Sequence, residues 1–255
     1  DKFLSIGIKS LCGAIVLDKV FLSIIIPAFS EEKRIIPTLE VILRYLSEQP
    51  YIWEILVVDD GSPDETFSVV NHWARNKQCI RVETIPHQGK GWAVRHGMLR
   101  AVGTYRFMCD ADLSMPIEQM GRFLPTELGD YDIAIASRET TNAQRFGEPG
   151  YRHLMGRGFN FLVRLLVLRG FYDTQCGFKC FRGSIAEKLF RHQRLDGFGF
   201  DVEILFLAQR AQYHIVEVPI DWYFHEGSKV RPIWDTIAMV RDILELRWGA
   251  IRGRY

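Results

Sequence analysis

The chain has 255 residues, of which 47% are hydrophobic and 25% charged, and its formal net charge at pH 7 is +1. These values are ordinary for a globular chain with one full core, and a net charge this small gives no reason to expect nucleic-acid binding. The longest apolar candidate, residues 11–27, contains Asp18 and Lys19, so no membrane-spanning helix is predicted. The same two charges occupy the place of a small-residue cleavage site, so no secretory signal is predicted either.

The first half of the chain alternates between two kinds of apolar pattern. Runs rich in β-branched and aromatic residues, each ending in turn-forming residues, predict strands at 21–26, 54–58 and 105–109. Helical patterns lie between them, at 36–46, 66–73 and 92–101. Strands that alternate with helices of this length indicate an α/β fold with a mostly parallel central sheet flanked by helices.

Acidic segments follow two of these predicted strands, DDGSPD at 59–64 and DADLS at 110–114. The carboxyl ends of strands in an open α/β sheet are where such sheets bind ligands, and spaced carboxylates there can hold a hard divalent cation against substrate phosphates. Either segment alone is equally consistent with an ordinary turn that caps a helix. Their occurrence after successive strands favours a nucleotide-diphosphate substrate and a metal.

Further motifs accompany the acidic segments in the same order as in a known family. PAFSEE at 27–32, VVDDGSPD at 57–64, HQGKG at 87–91 and DAD at 110–112 together resemble the inverting family 2 glycosyltransferases, which have the GT-A nucleotide-sugar fold. Three later motifs, DTQCGFK at 173–179, GFDVE at 199–203 and EGSKV at 226–230, are similar to those of the members that use polyprenyl or dolichyl phosphate, above all the glucosyl branch. The resemblance spans residues 21–247. Ser30 and His87 depart from it, since these relatives usually carry Asn there, and this leaves the donor sugar open.

The resemblance implies a site for a nucleotide-sugar donor. The nucleoside would be held by residues after the first two strands: Pro27, Phe29, Glu31, Asp59 and Asp60. The diphosphate would be held by basic residues in glycine-flanked loops and their neighbours: Lys90, Lys229 and Arg231. The Asp-x-Asp segment Asp110, Ala111 and Asp112 would contact the donor, and its two carboxylates would hold Mg²⁺ or Mn²⁺, both of which accept oxygen ligands.

The resemblance also implies an acceptor site. Arg138 and Arg152 match arginines that bind the lipid phosphate in the mannosyl enzymes, and guanidinium groups can grip phosphate with two parallel hydrogen bonds. Asp201 matches the family's general base, although a phosphate monoester is already largely anionic at neutral pH and needs positioning more than deprotonation. The structural alternatives are a surface ion pair for each arginine and a helix N-cap for Asp201.

Arginine is unusually frequent around the acceptor motif, where six arginines accompany only Glu139 and Glu148: Arg138, Arg145, Arg152, Arg157, Arg164 and Arg169. This basic excess suits an anionic substrate or an anionic membrane surface. Residues 159–169 and 232–248 combine apolar bulk with charge and predict helices that pack on the core or lie at a membrane interface. We therefore predict an N-terminal extension (1–19), a glycosyltransferase domain (20–231) and an amphipathic C-terminal helix with a basic tail (232–255).

The reaction predicted from these motifs is inverting transfer of glucose from UDP-glucose to a polyprenyl or dolichyl phosphate, at the cytoplasmic face of a membrane. GDP-mannose is the alternative donor. A nucleotidyltransferase would share the sheet and the acidic pair, but it should carry a Gly- and Arg-rich segment after the first strand, where this chain has Pro27, Ala28 and Phe29. A non-enzymatic nucleotide-binding protein would need neither the acidic pair nor the basic acceptor stretch. Five cysteines without paired-motif spacing predict free thiols rather than a zinc site.

Overall fold

A seven-stranded, mostly parallel sheet forms the centre of the fold in the computed structural model, which describes residues 19–225 and 232–255. The strands in chain order are β1 (Leu22–Ala28), β2 (Trp53–Asp59), β3 (Ile80–Thr84), β4 (Tyr105–Met108), β5 (Ile133–Ser137), β6 (Gln144–Phe146), β7 (Lys179–Arg182), β8 (Ile215–Pro219) and β9 (Asp221–Tyr223). The sheet has the order β3-β2-β1-β4-β7-β5-β8, and only β7 runs antiparallel to its neighbours. Strands β6 and β9 form a separate parallel pair.

Helices cover both faces of this sheet. They are α1 (Ile35–Ser47), α2 (Thr66–Ala74), α3 (Lys90–Arg100), α4 (Pro125–Leu128), α5 (Gly150–Leu166), α6 (Gly183–His192), α7 (Phe200–Arg210) and α8 (Pro232–Ile251), with a 3₁₀ helix at Ile117–Phe123. Side chains alternate along a strand, so in β1 Ile24 and Ile26 enter one core while Ile25 enters the other. The first core contains α1 and α2, and the second contains α3 and α5 to α8. This double coverage explains why β1 is apolar on both faces from Ile24 to Ala28.

The α/β fold predicted from the sequence is confirmed. The predicted strands and helices of the first half begin and end within two residues of the observed ones, with β1 extending through Pro27 to Ala28. The proline is tolerated because it lies beyond the part of β1 that pairs with β4, Leu22 to Ile25. The predicted N-terminal extension lies almost entirely outside the described residues, and the predicted division into three segments stays a prediction.

The C-terminal helix α8 differs from its predicted packing. Apolar residues at three- and four-residue steps predict a core-facing stripe through Ile233, Ile237, Val240, Leu244 and Trp248. Ile237, Leu244 and Trp248 are instead more than half exposed. The helix instead packs through another set of apolar side chains: Met239, Ile243 and Leu246. Both sides of α8 are therefore apolar, and a periodicity count cannot tell which of two apolar stripes the core selects. In residues 19–225 and 232–255, no helix has the combination of length and apolar character needed to cross a membrane.

Candidate functional site

Three parallel strands deliver the predicted site residues to one edge of the sheet. In the register of β1, Ala28 lies beside Asp59 of β2, and Ile25 lies beside Met108 of β4. The loops that follow these strands therefore leave from the same edge, as expected for ligand loops of an open α/β sheet. The N-terminus of α3 brings Lys90 to this edge, where its ammonium group contacts Asp110.

The two aspartates that end β2 are buried and organise the surrounding loops. Asp59 is 1% exposed and accepts hydrogen bonds from Ser62 and, at 2.9 Å, from the hydroxyl of Thr84. Asp60 is 3% exposed and accepts the backbone N–H groups of Gln88 (3.0 Å) and Gly89 (2.9 Å). These carboxylates shape the loops at 61–64 and 87–89, so any contact with a donor would add to roles that they already have.

An aromatic pair and a small cavity lie beside these loops. Phe29 and His87 stack with ring centroids 4.3 Å apart and planes 20° apart, and His87 Nδ1 lies 2.8 Å from Asp60 Oδ2. A cavity of about 310 Å³ is lined by residues 30–34 and Asp64, and Glu31 there pairs with Arg34. Flat rings beside buried acceptors suit a nucleobase. The sequence drew attention to His87 only as a departure from the resembling family; the stacking was not predicted.

Lys90 and Asp110 form a close ion pair at the end of β4. Lys90 Nζ lies 2.7 Å from Asp110 Oδ1, and neither side chain is more than a quarter exposed. Burial alone would lower the pKa of Lys90, but the negative charges of Asp110 and Asp201 raise it above its ordinary value. Gly177 approaches Asp110 so closely that a Cβ there would lie 2.0 Å from Oδ2, so a larger residue at 177 would displace the Asp110 carboxylate.

The Asp-x-Asp segment keeps oxygen atoms available for a ligand. Asp112 Oδ1 accepts the Ser114 N–H at 3.0 Å, and the carbonyl of Ala111 accepts the Thr38 hydroxyl at 2.7 Å. Within the described residues, the second carboxylate oxygens of Asp110 and Asp112 have no hydrogen-bonding partner. The described residues contain no group of three or more His, Cys, Asp or Glu side chains arranged for a metal. A cation held here would therefore take most of its ligands from substrate and water, as Mg²⁺ commonly does.

Asp201 lies at the start of α7 in a buried ion pair. Its side chain is 5% exposed, and its Oδ1 lies 2.6 Å from Lys179 Nζ, which also donates to the carbonyl of Cys176 at 2.6 Å. Burial raises the pKa of Asp201, and the charges of Lys179 and Lys90 oppose that rise. The sequence placed Lys179 in a motif without giving it a role; a lysine inside the apolar run 176–181 was the available signal, since lysine is rarely buried unless paired.

A second buried carboxylate of α7, that of Glu203, holds the loop at 194–197, which packs on the glycine-flanked segment 89–91. Glu203 is fully buried and accepts the N–H groups of Arg194 and Leu195 and the hydroxyl of Tyr255 at 2.8 Å. This loop packs tightly on α3, because a Cβ at Gly91 would lie 2.7 Å from the Leu195 carbonyl. Tyr255 and α7 thus help to position the segment that carries Lys90.

The predicted acceptor arginines occupy different environments. Arg138 follows β5 and makes a two-pronged ion pair with the buried Asp173, with Nε–Oδ2 and Nη2–Oδ1 distances of 2.6 and 3.0 Å. The Arg138 side chain is 19% exposed, and its guanidinium carbon lies 5.5 Å from the ring centroid of Trp222, while that of Arg152 lies 5.1 Å from the ring centroid of Phe224. Arg138 is therefore held in a buried ion pair, not in the surface pair given as its structural alternative, and its side chain keeps some access to solvent. Lys229 and Arg231 lie outside the described residues.

The Arg138–Asp173 pair predicts an acid-sensitive contribution to stability. Burial would raise the pKa of Asp173, but Arg138 lowers it to about 2. Because the unfolded value is about 3.9, the folded state with ionised Asp173 should be more stable near neutral pH than the one with protonated Asp173 by about 2–3 kcal/mol. This contribution is present above about pH 4 and lost as the pH falls toward about 2. Urea unfolding from pH 3 to 7 should show this dependence in the wild type and a weaker one in Asp173→Asn; parallel curves would contradict it.

Comparisons with known proteins agree with the resemblance that these motifs carry. A family model described as Glycosyl transferase family 2 matches residues 23–190. The dolichyl-phosphate beta-glucosyltransferase of Drosophila melanogaster is 35% identical over 237 residues, covering 87% of this chain and 73% of the relative. The human protein of the same name is 33% identical over 250 residues, covering 92% and 77%.

Solved structures share the architecture. Glucosyl-3-phosphoglycerate synthase from Mycobacterium tuberculosis in complex with uridine diphosphate superimposes with a TM-score of 0.67 at 16% identity, covering 90% of this chain and 80% of that one. Its complex with Mn²⁺, UDP-glucose and phosphoglyceric acid gives a TM-score of 0.65 at 16% identity, with the same coverage. At this level of identity the likeness concerns the fold alone.

Proposed function

Since the chain belongs to glycosyl transferase family 2, we propose that it transfers glucose from UDP-glucose to a polyprenyl or dolichyl phosphate with inversion at the anomeric carbon. The family resemblance predicted from the motifs is confirmed. The observation that carries the proposal is the cluster of Asp110, Lys90 and Asp201, whose charges interact at the sheet edge where the rings of Phe29 and His87 also stack. The names of the relatives support the acceptor, and the UDP-glucose complex of the structural neighbour supports the donor.

The donor is proposed to bind across the ends of β1, β2 and β4. Phe29 and His87 would contact the base, and the backbone around Pro27, with Glu31, Asp59 and Asp60, would form the rest of the nucleoside pocket. Lys90 would contact the diphosphate, and we propose the same for Lys229 and Arg231. A cationic side chain near the diphosphate favours the negative charge that develops as UDP leaves.

Asp110 and Asp112 are proposed to hold Mg²⁺ or Mn²⁺. Their unpartnered oxygens are hard donors of the kind that both ions prefer, so the residues present fit the ion. A bound divalent cation supplies positive charge that neutralises the diphosphate of the leaving group. The Mn²⁺ complex of the structural neighbour supports this assignment.

The acceptor phosphate is proposed to approach from the side of Arg138 and Arg152. A phosphate oxygen forms the new bond to the anomeric carbon while the bond from that carbon to the UDP oxygen breaks, and the bonding electrons leave with UDP. A phosphate monoester is mostly anionic at neutral pH, so the nucleophile needs little deprotonation. We assign Asp201, held by Lys179, to position the attacking group.

The experiment that tests this function compares two donors. Protein in detergent micelles with Mn²⁺ and a short polyprenyl phosphate should convert radiolabelled UDP-glucose, but not GDP-mannose, into label that enters organic solvent. A matched incubation without the polyprenyl phosphate should give no such label. Label from GDP-mannose alone would move the chain to the mannosyl branch, and label from neither donor would contradict the lipid acceptor.

Two helices give the protein a surface suited to a bilayer, and we propose that it contacts the membrane peripherally there. On α8, Trp234, Trp248 and Ile251 are each more than half exposed, and on α5 so are Phe161 and Leu165. The two helices contact each other, so these residues belong to adjoining elements. Exposed tryptophans and basic residues beside apolar bulk are typical of interfacial helices. The cytoplasmic side of the membrane stays a prediction.

A further inference from the structure

A cavity beside α5 has no part in the proposed donor and acceptor sites. Its volume is about 270 Å³, and its lining residues are Glu139, Arg157, Asn160, Arg164 and Tyr172. Three of these belong to α5, Glu139 follows β5, and Tyr172 precedes the Asp173 loop. The cavity is large enough for a phosphate group and the atoms attached to it.

The charge of this cavity is positive. Arg157 and Arg164 are exposed, and neither has a hydrogen-bond or ion-pair partner in the described part of the chain. Glu139, the acidic residue of the lining, is already paired with Arg145, and His153 Nε2 lies 3.3 Å from its Oε1. The cavity is therefore lined by two guanidinium groups without an ion-pair partner and by one carboxylate whose charge is balanced by Arg145. This arrangement favours an anionic ligand.

A buried amide supplies a directed donor to the same cavity. Asn160 is 5% exposed, and its Oδ1 accepts the hydroxyl of Thr174 at 3.0 Å. Its Nδ2 therefore remains as a donor, and it has no partner within residues 19–225 and 232–255. An amide N–H without a protein partner in the wall of a basic cavity is available to a ligand that accepts hydrogen bonds. Tyr172 adds a hydroxyl, and phosphate oxygens are suitable acceptors for all of these groups.

The apolar side chains next to the cavity indicate what the phosphate is attached to. Phe161 and Leu165 are 61% and 69% exposed. Phe161 lies four residues after Arg157 and three before Arg164, so it shares their side of the helix. A free anion would make no apolar contact with these side chains, whereas a lipid presents a phosphate directly above an acyl layer in which they can be buried.

We propose that this cavity binds the phosphate of an anionic membrane phospholipid when α5 lies on the bilayer. The inference rests on the proposed function, because the peripheral contact would bring α5 to the membrane from which the lipid acceptor is taken. The bound headgroup would fix the rotation of α5 about its axis, with Phe161 and Leu165 toward the acyl layer.

The test compares two variants that lose the same charge. Arg157→Gln with Arg164→Gln removes both guanidinium groups from the cavity, while Arg44→Gln with Arg75→Gln removes two exposed arginines on and next to α1 and α2, across the sheet. Binding is measured by co-sedimentation with phosphatidylcholine vesicles with and without phosphatidylglycerol. The cavity variant should lose about 20-fold or more in affinity for the anionic vesicles, and the control should lose less than about twofold. Asn160→Asp keeps the acceptor for Thr174 and should also weaken binding.

Other outcomes overturn the proposal. Equal losses in the two double variants would mean diffuse attraction by net charge, and wild-type binding that ignores phosphatidylglycerol would exclude a headgroup site. If the variant with Arg157→Gln and Arg164→Gln lost glucose transfer to polyprenyl phosphate in detergent micelles but still bound anionic vesicles, the cavity would be assigned to the acceptor instead. The micelle assay of the wild type contains no vesicles, so failure of the proposed transfer reaction is seen separately from failure of lipid binding.

Discussion

Replacement of Asp112 by Asn is expected to lower kcat for glucose transfer by about 10³-fold or more. The substitution keeps the size of the side chain and an acceptor for the Ser114 N–H, but it removes the negative charge proposed to hold the divalent cation. The cation's effect on the departing diphosphate is felt in the transition state, so kcat should fall more than the affinity for the donor. Steady-state kinetics across a range of Mn²⁺ concentrations measures both quantities.

A second Asp→Asn variant provides the control. Asp130 is 94% exposed in its side chain and pairs only at the surface with Arg182. Asp130→Asn should keep wild-type activity and the same thermal midpoint. If Asp112→Asn retained more than about a tenth of the activity at saturating Mn²⁺, a fall of one order rather than three, Asp112 would not be the metal ligand of this reaction.

Replacement of Lys179 by Met is expected to destabilise the protein by about 3–5 kcal/mol. The substitution preserves an apolar chain of similar length but leaves the carboxylate of Asp201 buried without its cation, and breaking a buried pair costs far more than a surface pair. Urea unfolding of the wild type and the variant measures the loss. The exposed Lys188 on α6 offers a matched Lys→Met control, which should change the free energy of unfolding by less than about 0.5 kcal/mol.

The pH dependence of this variant separates a lost charge pair from simple mispacking. Without Lys179, burial would raise the pKa of Asp201 further above the unfolded value of about 3.9, so the folded state would favour the protonated acid. The variant should then be least impaired at about pH 4 and lose further stability as the pH rises toward the new pKa. Adding Asp201→Asn should recover most of the stability at neutral pH. A pH-independent loss that Asp201→Asn does not repair would contradict the ion-pair explanation.

The motifs at the strand ends could be predicted because they depend on residues that are neighbours along the chain. Two runs of five residues that end in Asp-rich turns, 54–58 and 105–109, predicted β2 and β4 together with the edge at which Asp59 and Asp110 lie. The hydrogen bonds by which Asp59 and Asp60 hold the neighbouring loops were not predicted. Their partners, Thr84 and Gly89, are about 25–30 residues away, and hydrogen bonds over that separation leave no periodic signal.

The buried ion pairs were also not predicted from the sequence. Asp173 and Lys179 stood in a motif noted for its resemblance, but their partners Arg138 and Asp201 lie 35 and 22 residues away. Those contacts exist because the antiparallel β7 enters the sheet between β4 and β5. The strand order at that point depends on a crossover that local patterns do not encode. The same holds for α8, where two apolar stripes compete and the core accepts the one that includes Ile243.

By itself, the sequence determined the α/β class, the family and the strand ends that carry the acidic pair, because alternating periodicity, turn residues and motif order are properties of neighbouring residues along the chain. Only the tertiary structure decided which charges meet, which face of α8 is buried, and that Arg157, Asn160 and Arg164 share a cavity with Tyr172. These features arise when distant segments pack, and packing selects among pairings that the local pattern leaves equivalent.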